Sequence, residues 1–322
     1  MLSRSAQGLY WMGRYLERAA HLSRLMQLQV ETLVDRPLRE IHFGWNRVYS
    51  SMNQLPPAGT LEAFGSDDYA LADSYTLADH LTFEPTNPDS IWNCFAYARE
   101  NARQVRNYIS AEMWLSLNMT FLRLQGLTIQ EIWKTAPESF YAGTAKDIAT
   151  FTGVADATMY RDEGWHFIQL GRYIERVQLS ASILLAQIAA RNRQDESFDA
   201  DWANLLHVFR AFDAYVHSYS VVVQPGQVLD LIVTDELLPG SVRRSLDAID
   251  SVLGAIGSGP SPGAGKEAAV LSASLRAAVR DGRNDVTAWR ATLKQVNGDS
   301  RKLHQQIMDA YIDYPLEPLP VR

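Results

Sequence analysis

Two stretches of the sequence place arginine and glutamate at helical spacing among apolar residues. Arg14, Glu17 and Arg18 lie in Gly13-Arg14-Tyr15-Leu16-Glu17-Arg18, and Arg172, Glu175 and Arg176 lie in Gly171-Arg172-Tyr173-Ile174-Glu175-Arg176. Residues three and four apart are neighbours on a helix, so this spacing predicts that Arg172 meets Glu175 and Arg176 in one band, and Arg14 meets Glu17 and Arg18 likewise. Around the second motif, Phe167, Ile168, Leu170, Ile174, Val177, Leu179, Ile183, Leu184 and Ile188 make the helix apolar on nearly every side. Such a helix is normally buried. Buried charge is costly unless paired and hydrogen-bonded. Two arginines and one glutamate per motif leave a positive surplus, to be matched by carboxylates elsewhere in the chain or by an anionic ligand. The guanidinium fork suits a carboxylate or a phosphate. Two chemistries follow. Arg14, Arg18, Arg172 and Arg176 would hold an anion, and Glu17 or Glu175 would transfer a proton, its pKa set by burial against the arginines. The same residues read equally well as a buried ion network that fixes packing.

A third cluster runs Arg99-Glu100-Asn101-Ala102-Arg103-Gln104-Val105-Arg106. On one continuous helix Arg99, Arg103 and Arg106 share a band. Arg103 joins the anion-holding candidates and Glu100 the proton-transfer candidates; the alternative is a solvated basic face. Glu84 and Asp235 precede prolines at similar spacing and are candidate partners for the surplus arginines. Asn87-Pro88-Asp89 reads as a helix start, with Asn87 as cap and Pro88 in the first position. Glu163-x-x-His166 has a carboxylate-bundle spacing but no second copy, and Glu17 and His21 have a different spacing, so no metal site is expected. Gly257-x-Gly259 lies in a Ser/Pro/Gly stretch and not after a strand, so it is no phosphate loop. The sequence has no Walker motif, dinucleotide fingerprint or nucleophile elbow, and no cofactor is expected. Cys94 reads as a small core residue.

These residues sit in a chain whose periodicity is helical. Apolar residues recur at i, i+3 and i+4 near 6–34, 38–54, 89–118, 163–192, 200–223, 239–255, 267–281 and 285–312. Val221–Val223 and Leu229–Val233 are the strand-like exceptions. Breaks are expected at Leu55–Gly59, Arg191–Asp201 and Gly254–Gly265, and the proline-rich tail from Tyr314 cannot be helical. The expected class is all-α, a helical bundle. The Gly13–Arg18 motif returns at an offset of 158 with five of six positions identical, Trp45 pairs with Trp202, and Glu84-x-x-x-Pro88-x-Ser90 pairs with Asp235-x-x-x-Pro239-x-Ser241. Ordered matches of this kind predict two diverged tandem repeats, 1–157 and 158–322, packed as one globular unit.

Composition narrows the function classes. The 322 residues are 47% hydrophobic and 21% charged, enough apolar material for a core and incompatible with wholesale disorder. A formal charge of -7 argues against a general nucleic-acid binder. A single cysteine fits a reducing compartment, and neither a signal peptide nor a membrane span is read, so a cytoplasmic protein is expected.

Met1-Leu2-Ser3-Arg4 with Leu9-Tyr10-Trp11-Met12-Gly13-Arg14-Tyr15-Leu16-Glu17-Arg18-Ala19 resembles the opening of the bacterial alpha-E family, helical proteins named for a Glu-Arg motif. Ala98-Arg99-Glu100-Asn101-Ala102-Arg103, Ser110-x-Glu112-Met113-Trp114, and Thr158-Met159-x-Arg161-Asp162-Glu163-Gly164-Trp165 extend the resemblance over essentially the whole chain. It departs at Asp235-Glu236-Leu237-Leu238-Pro239-Gly240, where the family has an aspartate- and proline-rich turn. Such proteins are typically encoded beside a circularly permuted ATP-grasp-type ligase and a transglutaminase-like protease. The resemblance implies an accessory or substrate-presenting partner of an amide-bond-forming system that handles a peptide or amino-acid carboxylate. The alternatives are an enzyme of peptide metabolism using the Glu-Arg pairs directly, and a purely structural interaction protein.

Overall fold

The computed structural model describes residues 1–33, 38–57, 67–191, 199–257, 262–280 and 285–313. All regular structure among them is helical: α1 (Ser3–Glu31), α2 (Leu38–Ser51), α3 (Asp67–Thr82), α4 (Ile91–Gln104), α5 (Ala111–Leu124), α6 (Ile129–Trp133), α7 (Pro137–Thr158), α8 (Glu163–Arg191), α9 (Asp199–Val208), α10 (Phe212–Ser218), α11 (Pro225–Thr234), α12 (Val242–Ile256), α13 (Pro262–Ala278) and α14 (Val286–Ile307), closed by a π-helical turn at Met308–Ile312.

The two long helices that carry the Glu-Arg motifs, α1 and α8, pack along each other and form the axis of the molecule. Two glycines allow this. A Cβ on Gly13 would collide with the backbone carbonyl of Ile168, and one on Gly171 with the backbone carbonyl of Tyr10. The contacts are reciprocal, each glycine meeting the residue three before the other. The surroundings follow the same order. α1 is flanked by α4 and α7, and α8 by α12 and α14; α5 lies on α7, and α13 on α14. A single hydrophobic core runs through both halves, with Trp45, Trp202, Trp289, Tyr10, Tyr49 and Phe95 among its fully buried rings.

Several local expectations need correction. Segment 89–118 is two helices, because Ser110 caps a new start at α5, its hydroxyl accepting from the Met113 amide at 3.1 Å. Arg106 therefore lies beyond α4 and the predicted three-arginine band is broken. Segment 200–223 divides at Arg210, whose φ of 54° ends α9. Leu229–Val233 is not a strand. It is the buried face of α11, which starts on Pro225, where a missing amide costs nothing. Val221 and Val222 are exposed outside any helix. Ser90, not Asn87, caps α4, accepting from the Asn93 amide at 3.3 Å. Asn87 instead builds the preceding turn, accepting from the Asp89 amide and donating to the His80 carbonyl at 2.9 Å. Helices α3, α6 and α7 carry no clear sequence signal. Gly259 and the tail from Tyr314 lie outside the described residues, as do parts of the Leu55–Gly59, Arg191–Asp201 and Gly254–Gly265 breaks.

Candidate functional site

The close approach of α1 and α8 determines which charges meet. The sequence spacing pairs each glutamate with arginines on its own helix. The structure pairs them across helices, because at this separation each carboxylate lies between the two arginines of the opposite motif.

In the first node Glu175 accepts from Arg14 Nε and from Arg18 Nε, both at 2.6 Å. Arg14 Nη2 goes on to Gln178 Oε1 at 3.0 Å, and Arg18 Nη1 is paired with Asp89. Asp89 is also held by Gln54 Nε2 at 2.9 Å. Arg14 lies 4.9 Å from the Trp11 ring, and the Tyr10 hydroxyl meets His304 Nδ1 at 2.8 Å beside it. Two arginines and two carboxylates make this node neutral. Glu175 is only 2% exposed. Burial alone would raise its pKa, but Arg14 and Arg18 outweigh that and hold the carboxyl down at about 2.

In the second node Glu17 accepts from Arg176 Nε at 2.7 Å, from Arg176 Nη2 at 2.9 Å and from Arg172 Nε at 3.4 Å. Here too burial pushes the carboxyl up, and Arg176 and Arg172 prevail and hold it well below the carboxylate range. The outer edge of Arg176 differs from that of Arg18. Its Nη1 donates at 3.3 Å to a neutral acceptor, the Pro239 carbonyl.

The second node opens onto a cavity of about 380 Å³. It is lined by Glu17, His21 and Arg24 of α1, by Arg172 and Arg176 of α8, and by Ala145, Ile148 and Thr152 of α7. Arg210 and the Leu238–Gly240 turn complete it. Arg24 Nε and His21 Nε2 are buried without a hydrogen-bond partner among the described residues. Burial, with Arg24 adding to it, pushes the His21 imidazole down to about 3, so it is neutral at physiological pH. Burial likewise lowers Arg24, to about 10, which still leaves it charged. Among the described residues Glu17 is the one carboxylate lining a cavity that four arginines also line. The sequence marked neither Arg24 nor Arg210. Arg24 lies one turn beyond His21 on the Glu17 face of α1, a position helical spacing could have flagged. Arg210 reaches the site through a left-handed backbone residue that carries no sequence signature.

The remaining candidates fall elsewhere. Glu100 and Arg103 pair with each other at 2.7 Å on the surface and join neither node. Arg99 packs over Phe121 and donates to Asn118 Oδ1 at 2.7 Å, and Arg106 stacks on Trp114. Glu84 bonds Thr86, and Asp235 accepts from the Leu237 and Leu238 amides. Neither reaches an arginine of the nodes; Asp89 is the acid that does. Cys94 is buried, its Sγ 3.7 Å from the Asp89 carbonyl, and burial pushes its thiol up to about 12. A further buried ion pair, Arg47 with Asp201 at 3.5 Å, was not anticipated from sequence. Among the described residues no three His, Cys, Asp or Glu side chains gather to hold a metal ion, and no helix is long and apolar enough to cross a membrane.

Uncharacterised proteins of Mycobacterium bovis and of Mycobacterium tuberculosis strain CDC 1551 are each 26% identical over 192 residues, which is 56% of this chain and 22% of theirs. A protein of Mycobacterium tuberculosis strain H37Rv is 25% identical over the same length. The chain therefore spans less than a quarter of these relatives. No solved structure matches it. The model of the Alpha-E family, a predicted alpha-helical domain with a conserved ER motif, matches residues 1–312, and the chain belongs to that family.

Proposed function

We propose that this chain is a non-catalytic helical partner that holds an anionic group in the Glu17 cavity, within a cytoplasmic amide-bond-forming system served by an ATP-grasp-type ligase. The observation that carries the anion-holding part is the charge imbalance between the nodes. The Glu175 node is neutral, whereas among the described residues four arginines and one carboxylate line the cavity of the Glu17 node. Arg24, Arg172 and Arg176 are partly withdrawn from water and gain when an anion enters among them, while Arg210 is exposed. The ligase partnership and the peptide or amino-acid carboxylate class rest on the family resemblance.

Binding is favoured over proton transfer. Glu17 and Glu175 are held ionised by their arginines, and a carboxylate far below neutral pKa is a weak base near pH 7. Hydrogen bonds and charge hold Glu100 down at about 2, and its pairing with Arg103 on the surface places it outside the cavity. We also infer that residues 1–157 and 158–322 descend from one duplicated unit; the reciprocal glycine and Glu-Arg contacts support this. The acidic overall charge argues against nucleic acid as a partner.

Co-purification of the tagged chain with an ATP-grasp-type ligase of the same organism tests the partnership. Replacing Arg24 and Arg210 together by alanine, which leaves the Arg172 and Arg176 bonds to Glu17 in place, is expected to leave the complex intact and to lower coupled amide formation by about tenfold or more, one tenfold step being about 1.4 kcal/mol of lost binding. No complex, with full ligase activity in its absence, would remove the proposal.

A further inference from the structure

The turns that precede α4 and α12 have the same local form. The Ser90 amide bonds the Asn87 carbonyl at 3.0 Å, and the Ser241 amide bonds the Leu238 carbonyl at 3.1 Å. Ser90 and Ser241 then cap their helices through the same amide, three residues on. Asp89 and Gly240 therefore occupy the same place in the two turns. The arginines beneath them also correspond. Arg18 and Arg176 each give Nε to the glutamate of the opposite helix. Arg18 Nη1 then pairs with the Asp89 carboxylate, while Arg176 Nη1 meets only the Pro239 carbonyl. The first node is completed by an acid of its own turn, and the second has a glycine at that position, lining the cavity.

Charge sets how much more is needed. A carboxylate placed on Arg176 as Asp89 is on Arg18 would balance the Arg172–Arg176–Glu17 group. Arg24, with its unpartnered Nε, and Arg210 would still face the same space. Ala145, Ile148 and Leu179 add apolar lining to the same cavity. The cavity, about 380 Å³, is at the small end of ligand pockets.

We propose that the cavity takes a small aliphatic dicarboxylate, with one carboxylate on Arg176 Nη1 in the position that Asp89 takes on Arg18, and the other facing Arg24 and Arg210. This rests on the anion-holding reading above and names its ligand class. The chemistry is that of an acidic residue whose α-amine is acylated, as at the C-terminal end of a short peptide.

The test is calorimetric titration of glutarate, butyrate and inorganic phosphate into the full chain at low ionic strength. Glutarate is expected to bind one to one, and butyrate about tenfold more weakly or worse, since it satisfies one cationic end. Gly240→Asp would supply the missing carboxylate from the protein itself and is expected to weaken glutarate about tenfold or more. A Cβ at Gly240 meets the Phe209 carbonyl oxygen at 3.4 Å, an ordinary contact, so the side chain can be placed. Gly240→Ala adds the Cβ without the charge and is expected to bind glutarate as the unaltered chain does. Unchanged glutarate affinity in folded Gly240→Asp would overturn the Asp89 correspondence. Equal affinity for butyrate and glutarate, which needs no variant, would overturn the second carboxylate. Phosphate binding without glutarate binding would overturn the ligand class and leave the anion-holding reading standing. Binding of none of the three would overturn both.

Discussion

Glu175→Ala is expected to destabilise the fold by about 3–5 kcal/mol, the usual cost of leaving buried charges without their partner. Arg14 and Arg18 both give Nε to this carboxylate, and with Glu175 removed only Asp89 remains against them. Glu175→Gln keeps the shape and one acceptor oxygen but removes the charge, so its loss should approach that of alanine. Equilibrium unfolding in urea measures both. A Glu175→Gln protein as stable as the unaltered chain, with activity of the system lost, would contradict the view that this node is structural. The pH dependence has a matching sign. The Glu175 carboxyl titrates near 4.5 when unfolded and at about 2 when folded. Its contribution is therefore complete above about 4.5 and is lost as pH falls towards 2. The unaltered chain should lose stability across that window, and Glu175→Gln should lose less of it.

Gly171→Ala is expected to cost as much as overpacking a rigid core, about 1–3 kcal/mol and at the upper end of that range. The obstacle is the Tyr10 backbone carbonyl, which no rotamer change can move aside, so α1 and α8 must separate along the line where both nodes form. Separation stretches the Arg14–Glu175 and Arg176–Glu17 bonds, which are only 2.6 and 2.7 Å long. Gly13→Ala meets the Ile168 carbonyl in the reciprocal place and should cost a similar amount. Because both substitutions open one interface, the double variant should lose less than the sum of the two. Thermal unfolding of the three variants checks this. Melting unchanged by Gly171→Ala would mean that the two helices do not depend on this contact.

The sequence shows the helical class and the burial of the Glu-Arg motifs, because both depend on local periodicity. Which carboxylate pairs with which arginine is a matter of helix packing, and spacing alone favours the within-helix partner that the structure replaces. That Gly13 and Gly171 lie at one close approach of the two helices is likewise a matter of packing. The buried side of α7 is Tyr141, Thr144, Ala145, Ile148, Phe151 and Ala155, in which small and polar residues interrupt the large apolar ones, so its helical stripe is weak in the sequence. Without α7 the wall of the cavity could not be drawn. Asp89 read as a first-turn acid of a helix, and only the fold brings it to Arg18. Arg24 gains its place in the site from the packing of α8 and the turn at Pro239, which line the same cavity.

The most direct measurement is a crystal structure of the chain soaked in bromide, with anomalous scattering used to place the ions. Bromide reports anion sites without presupposing their chemistry. The prediction is a strong peak in the Glu17 cavity, within reach of Arg24, Arg176 and Arg210, and none between Arg14 and Arg18, where Glu175 and Asp89 already complete the charge. An empty cavity, or an ion seated instead on Arg18, would contradict the division of the two nodes into one closed by the protein and one open to a ligand.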